Sequence, residues 1–209
     1  MNSAYYVRFA LRDHPNPTIL TEDVRQNSNI GANYWEATLD QIPNSFGYKR
    51  LIQGFIKLLP QLEPEGRSLL IVGQHGSGKT ALASIVIRNV IAREGRGYMI
   101  SAADLFDKLI KTPSVILPNG ASLEEALRNI QFLGIDDLKK WLNHEWKDRI
   151  LETIVRARYD EQLPTIITTN LPLKDIQACE WLRSILRERF LVVEVAGIDW
   201  RQSVEWGKH

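Results

Sequence analysis

The chain has one cysteine, Cys179, among 209 residues. That excludes an intramolecular disulfide and a cysteine-rich metal site. Long apolar runs are missing as well, and none approaches the roughly 18 residues of a membrane span. Charge of one sign is not in excess. Twenty-six basic residues against 25 acidic ones leave a formal charge of +1, so bulk charge does not mark a strongly basic nucleic-acid binder, although a local patch stays open. Internal repeats and low-complexity segments are absent. Met1 to Asp13 lacks the basic, apolar and small-residue order of a secretion signal. The expectation from these absences is a soluble cytoplasmic protein of a reducing compartment, with no membrane contact. What is present is ordinary: 44% apolar and 24% charged residues. This balance excludes a disordered tail, a coiled coil and a collagen-like chain, and the length suffices for a real core.

Texture divides the chain at about residue 33. In residues 1–20, Tyr5, Val7, Phe9 and Leu11 alternate as in a short strand or arm, and Pro15 and Pro17 end it. Residues 21–33 read as a polar loop. Together they form an N-terminal arm (1–33), a candidate partner contact, ahead of a core domain (34–209). In the core, Leu51, Ile52, Phe55, Ile56, Leu58 and Leu59 have helical spacing, closed by Pro60 and Pro64. From Ser68 onward short apolar runs at 68–73, 97–101, 131–136, 165–169 and 190–195 alternate with helical patterns. Among these are Ala102 to Lys111, His144 to Asp160 with Trp146, Ile150, Ile154 and Ala157 on one face, and Ile176 to Arg189. Apolar strands separated by helices predict an α/β fold: a five-stranded parallel sheet with helices on both faces. Ligands of such sheets sit at the carboxyl ends of the strands.

The first strand runs into Gly73-Gln74-His75-Gly76-Ser77-Gly78-Lys79-Thr80. This fits the phosphate-loop pattern in its required context, between a strand and a helix. Glycines let the backbone turn its N–H groups onto phosphate oxygens, and the helix start adds free N–H groups and partial positive charge. Lys79 supplies a charge at the β- and γ-phosphates, and Thr80 a hydroxyl for Mg²⁺. Gly73, Gly76, Ser77, Gly78, Lys79, Thr80 and Ala81 are therefore the expected nucleotide-binding residues. His75 fills an unspecified position and is assigned no role.

The third strand ends in Asp136 and Asp137. Two carboxylates at the end of a buried strand are costly unless neutralised, and a Mg²⁺–phosphate group neutralises them. Asp136 is the expected metal ligand with Thr80. Asp137 is the expected orienter or base for the attacking water. The fourth strand ends at Thr169, and Asn170 is placed to face the γ-phosphate. A plain turn asparagine before Leu171-Pro172 is the alternative. Arg183 and Arg187 lie four apart, off the apolar stripe of their helix. Either they are solvated, or one completes a neighbouring subunit's site. Arg201, beyond the last strand, is a candidate to reach the γ-phosphate in cis.

The set GQHGSGKT, FLGIDDL, RARYDEQLPTIITTNLP and WLRSILRERFLVVEVAGIDWR resembles the bacterial helicase-loader and insertion-sequence ATPase group of the AAA+ superfamily, over about residues 34–203. The resemblance implies an AAA+ P-loop NTPase core, ATP-dependent oligomerisation and engagement of DNA, single-stranded first. Lys79 and Thr80 match Walker A, Asp136 and Asp137 Walker B, and Asn170 sensor 1. Arg183, with Arg187 close behind, matches the arginine finger, and Arg201 matches sensor 2. Trp35 to Pro43 resembles the segment on the adenine side. Three departures stand out. Asp137 replaces a frequent glutamate, the N-terminal part is short, and only Gly197 to His209 follows the last strand, so the helical lid is expected to be missing or minimal.

The leading functional expectation is an ATPase that delivers a replicative helicase to DNA in replication, with Tyr5, Tyr6 and Phe9 as partner contacts. The alternatives are the ATPase partner of a transposase, and an ATP-dependent scaffold with little turnover. Lys108, Lys111, Lys139 and Lys140 are the candidate DNA-facing residues, a weaker reading because solvated lysines look the same.

Overall fold

The computed structural model describes residues 27–42, 44–111, 122–138, 145–178 and 180–195. Five strands, β1 (Ser68–Gly73), β2 (Gly97–Ser101), β3 (Phe132–Leu138), β4 (Thr165–Thr169) and β5 (Phe190–Val195), form one sheet in the order β2-β3-β4-β1-β5. Every pairing is parallel. The helices are α1 (Gly47–Leu62), α2 (Lys79–Ile91), α3 (Ala102–Lys111), α4 (Leu123–Asn129), α5 (Glu145–Asp160), α6 (Leu173–Ala178) and α7 (Glu180–Arg189).

Alternation along the strands sorts the core into two layers. Leu69 and Ile71 of β1 face α1 and α2, together with Ile166, Val193 and Val195. Leu70 and Val72 face the other way, with Ile135 and Ile167, against α3, α4, α5 and α7. Both faces are covered, as the near-continuous apolar strands predict. The core reaches back beyond residue 33. Ile30 is buried, and Asn29 Nδ2 donates to the Met99 carbonyl at 2.6 Å.

Several sequence expectations shift in detail. In α1, Leu51 and Leu58 are 46% and 41% exposed. The buried side is instead Tyr48, Lys49, Ile52, Phe55, Ile56 and Leu59, because one helix face suffices to cover the sheet edge. The helix also runs through Pro60 to Leu62. In its last turn, proline removes only one N–H. In α5, Trp146 is 43% exposed, and Leu151, Ile154, Val155 and Arg158 form the buried face. The helical run expected from Ile176 begins earlier, at Leu173, where Asp175 N donates to the Pro172 carbonyl at 2.9 Å, and it is two helices, α6 and α7. Helix α4 has only seven residues, with Ser122 Oγ accepting from Glu125 N at 3.1 Å as its cap. It is too short for a periodic signal.

The arm at 1–20, Pro43, Lys139, Lys140, Cys179, Arg201 and the segment 197–209 lie outside the described residues. Among the described residues, no helix is long and apolar enough to cross a membrane.

Candidate nucleotide site

The site is built where β1, β3 and β4 end side by side. The register pairs Ile71 with Thr168 and Val72 with Thr169, so the loop after β1 and the residue after β4 are neighbours by topology alone. Gly78 caps α2 with φ 87°, a left-handed conformation that a side chain would strain. Gly73 has a different reason to be glycine. A Cβ there would lie 2.6 Å from the Val195 carbonyl oxygen, so β5 packs against the loop only in its absence. The loop folds on itself through Gln74, whose carbonyl accepts from Ser77 N at 3.3 Å and from Lys79 Nζ at 2.7 Å. Lys79 is nearly buried. Ser77 Oγ is buried and has no hydrogen-bond partner.

Asp136 faces this loop. Thr80 Oγ1 lies 3.0 Å from both carboxylate oxygens, and Thr168 Oγ1 donates to Oδ1 at 2.5 Å. Burial pushes the Asp136 carboxyl above the usual carboxylate range. The hydroxyls of Thr168 and Thr80 pull it back, neighbouring Asp137 raises it, and Lys79 lowers it. A desolvated carboxylate beside a hydroxyl and an ammonium is a site short of positive charge. The donors are oxygens only, one carboxylate and one hydroxyl, which suits Mg²⁺ held mainly by phosphates and water. Among the described residues, no group of three His, Cys, Asp or Glu offers a fuller cage.

Asp137 sits at a break in the ladder. The β3–β4 register shifts between Ile135 and Leu138, and Asp137 has φ 57°. Its N–H donates to Thr168 Oγ1 at 2.9 Å. Thr168 thus serves both aspartates, accepting from the backbone of one and donating to the carboxylate of the other. Reading the sequence left Thr168 without a role. Its place beside the acidic pair on the neighbouring strand was the available signal. Asn170 stands over the loop with its side-chain amide in hydrogen-bond contact with His75 Nε2.

No protein-family model matches the chain. An uncharacterized protein of Bacillus subtilis (strain 168), YqaM, is 26% identical over 117 residues, which is 52% of this chain and 36% of YqaM. The chain therefore spans about a third of that relative's length. Among solved structures, the DnaC helicase loader superposes with TM-score 0.68 at 24% identity, over 79% of this chain and 100% of that one. DnaI gives TM-score 0.63 at 19%, over 78% and 89%. The replication initiator DnaA bound to AMPPCP and single-stranded DNA gives 0.62 at 20%, over 81% and 51%. The chain shares its α/β fold with these three structures.

The structure brings Lys79, Thr80, Asp136 and Asn170, expected from the sequence as Walker A, Walker B and sensor 1 residues, to one end of the sheet. Arg183 and Arg187 lie on α7, where Leu182, Ile185 and Leu186 are buried. Neither shares a hydrogen bond or ion pair with Gly73–Thr80, Asp136 or Asn170 among the described residues. Arg183 is half-buried and Arg187 exposed. The segment expected on the adenine side packs against the α1–α2 layer through Trp35, Ala37, Leu39 and Ile42. Arg88 of α2 ties it down, donating to the Ala37 carbonyl at 2.6 Å. Lys108 is exposed on α3.

Proposed function

We propose that this chain is an AAA+ ATPase that binds and hydrolyses ATP with Mg²⁺, assembles with further copies of itself, and acts in DNA replication as a helicase loader. The observation that carries the ATPase reading is the Thr80–Asp136 contact at 3.0 Å, made beside a phosphate loop whose lysine is already turned inward. Backbone N–H groups of Gly76 to Thr80 and the Lys79 ammonium cradle the phosphates. Thr80 and Asp136 hold the metal. Bound Mg²⁺ supplies charge neutralisation at the transferred phosphoryl group. Asp137 orients or deprotonates water, and Asn170 places its amide at the γ-phosphate side. Arg183, Arg187 and Arg201 are then the groups that complete a site across a subunit boundary or in cis.

The loader role is supported by the likeness to DnaC and DnaI, and engagement of single-stranded DNA by the likeness to DnaA. One observation favours a second reading, in which the protein holds a partner with little turnover. Asp137 is a methylene shorter than the glutamate common at its position and carries a left-handed backbone.

The test is a client capture with Asp137→Asn, expected to bind ATP without cleaving it, and Lys79→Ala as the nucleotide-free control. Lys79→Ala is expected to lose at least roughly 100-fold in ATP affinity, as loss of a charged contact worth about 3 kcal/mol implies. A replicative helicase retained by Asp137→Asn alone supports the loader. A transposase in its place replaces the client and leaves the ATP switch. Wild-type ATP binding without turnover selects the scaffold reading.

A further inference from the structure

We infer that His75 is a positioning residue for the Asn170 amide. The inference rests on the ATPase reading above. In a phosphate loop, backbone N–H groups meet phosphates that ADP and ATP share, so telling the two apart falls to a group beyond the loop. Asn170 is that group here, and the only hydrogen bond its side chain makes among the described residues is with His75 Nε2. His75 likewise makes no other hydrogen bond there. The amide N–H donates and the ring nitrogen accepts, which places the ring proton on Nδ1.

The geometry explains why the pair forms. Val72 and Thr169 are register partners on adjacent parallel strands. The chain leaving β1 carries His75 three residues on, and the chain leaving β4 carries Asn170 one residue on. The two side chains meet over the mouth of the loop. Asn170 is half-buried and His75 exposed, so core packing does not lock the amide. A hydrogen bond to the loop fixes its direction, and fixing a freely turning side chain is worth roughly three- to tenfold in a rate or affinity that depends on it. His75 thereby ties the sensor to the element that holds the phosphates, and a shift of the loop shifts the amide with it.

The experiment uses the full chain, wild type and His75→Ala, His75→Gln, Asn170→Ala and the double variant His75→Ala/Asn170→Ala. Turnover is measured with ATP and Mg²⁺. Affinities for ADP and for AMPPCP, which is not cleaved, are measured by calorimetry. His75→Ala is expected to lower kcat three- to tenfold with KM within about twofold, and to shift the AMPPCP-to-ADP preference toward ADP by a similar factor. His75→Gln, whose amide can meet Asn170, restores both. In the Asn170→Ala background, His75→Ala changes neither. An unchanged preference and kcat in His75→Ala, or an effect that persists without Asn170, overturns the inference while the ATPase reading stands. Folded wild type that binds neither nucleotide overturns both. If turnover is negligible, the AMPPCP-to-ADP preference alone decides.

Discussion

Arg158, fully buried, and Asp136, half-buried, are charges near opposite ends of one sheet, and they are treated in opposite ways. Arg158, where β3 and β4 begin, is fully buried. Its guanidinium donates to the carbonyls of Leu127, Arg128, Ile130, Gln131 and Pro164 and to Thr165 Oγ1. Two of those carbonyls belong to the last turn of α4, where a cation also meets the helix dipole. Burial pulls the guanidinium down to about 9, still well above neutral pH, so it stays charged. Asp136, at the opposite end, has two hydroxyls for a desolvated carboxylate, and the phosphate loop it faces holds an orphan Ser77 Oγ. A charge supplied with every partner ties elements together. A charge left short of partners is placed for a ligand.

The largest expected effect breaks the satisfied end. Arg158→Ala strands several buried carbonyls at once and is expected to cost about 4 kcal/mol, lowering the unfolding midpoint by about 10 °C. Urea unfolding reads this directly. Arg158→Lys keeps the charge but not the planar fork, and is expected to cost about half as much.

A smaller effect is expected from Thr168→Val, which keeps the shape and removes the hydroxyl that Asp136 and the Asp137 N–H share. Stability should fall by about 1–2 kcal/mol. The loss of ATP turnover should exceed the loss of ATP affinity, because Asp137 loses its anchor while the phosphate loop is untouched.

The smallest effect has the opposite sign. Asp136→Asn removes a carboxylate that burial opposes, so the nucleotide-free protein should gain roughly 1 kcal/mol, or about 2–4 °C, while Mg²⁺-dependent binding is lost. The pH dependence follows from the raised carboxyl. Unfolded chains release the Asp136 proton in the ordinary carboxylate range, and the folded protein releases it at higher pH. Over that window the folded state holds the extra proton, so wild-type stability falls as pH rises. Above the window the penalty is constant. The variant should lack this slope, and the difference between the two unfolding curves isolates it.

The poised end was legible in the sequence because its residues are contiguous or close a strand: Gly73 to Thr80, Asp136 with Asp137, and Asn170 each carry a local signature. The satisfied end was not. Arg158 sits in a helical run of charged residues, and its acceptors are as many as 31 residues away. Thr168 was read as part of a strand end because its work lies across the ladder, on Asp136. Apolar periodicity located α1 and α5 but misjudged Leu51, Leu58 and Trp146. The pattern tells which residues are apolar, not how much of the helix its neighbours cover.

Thermal unfolding of wild type and Asp136→Asn, with ATP plus Mg²⁺ and with ATP plus a chelator, tests the central claim most directly. Wild type should be stabilised by ATP with Mg²⁺ and much less without the metal. Asp136→Asn should start from a higher midpoint and gain the same small increment in both conditions. A wild-type midpoint that ATP and Mg²⁺ leave unmoved would contradict the account.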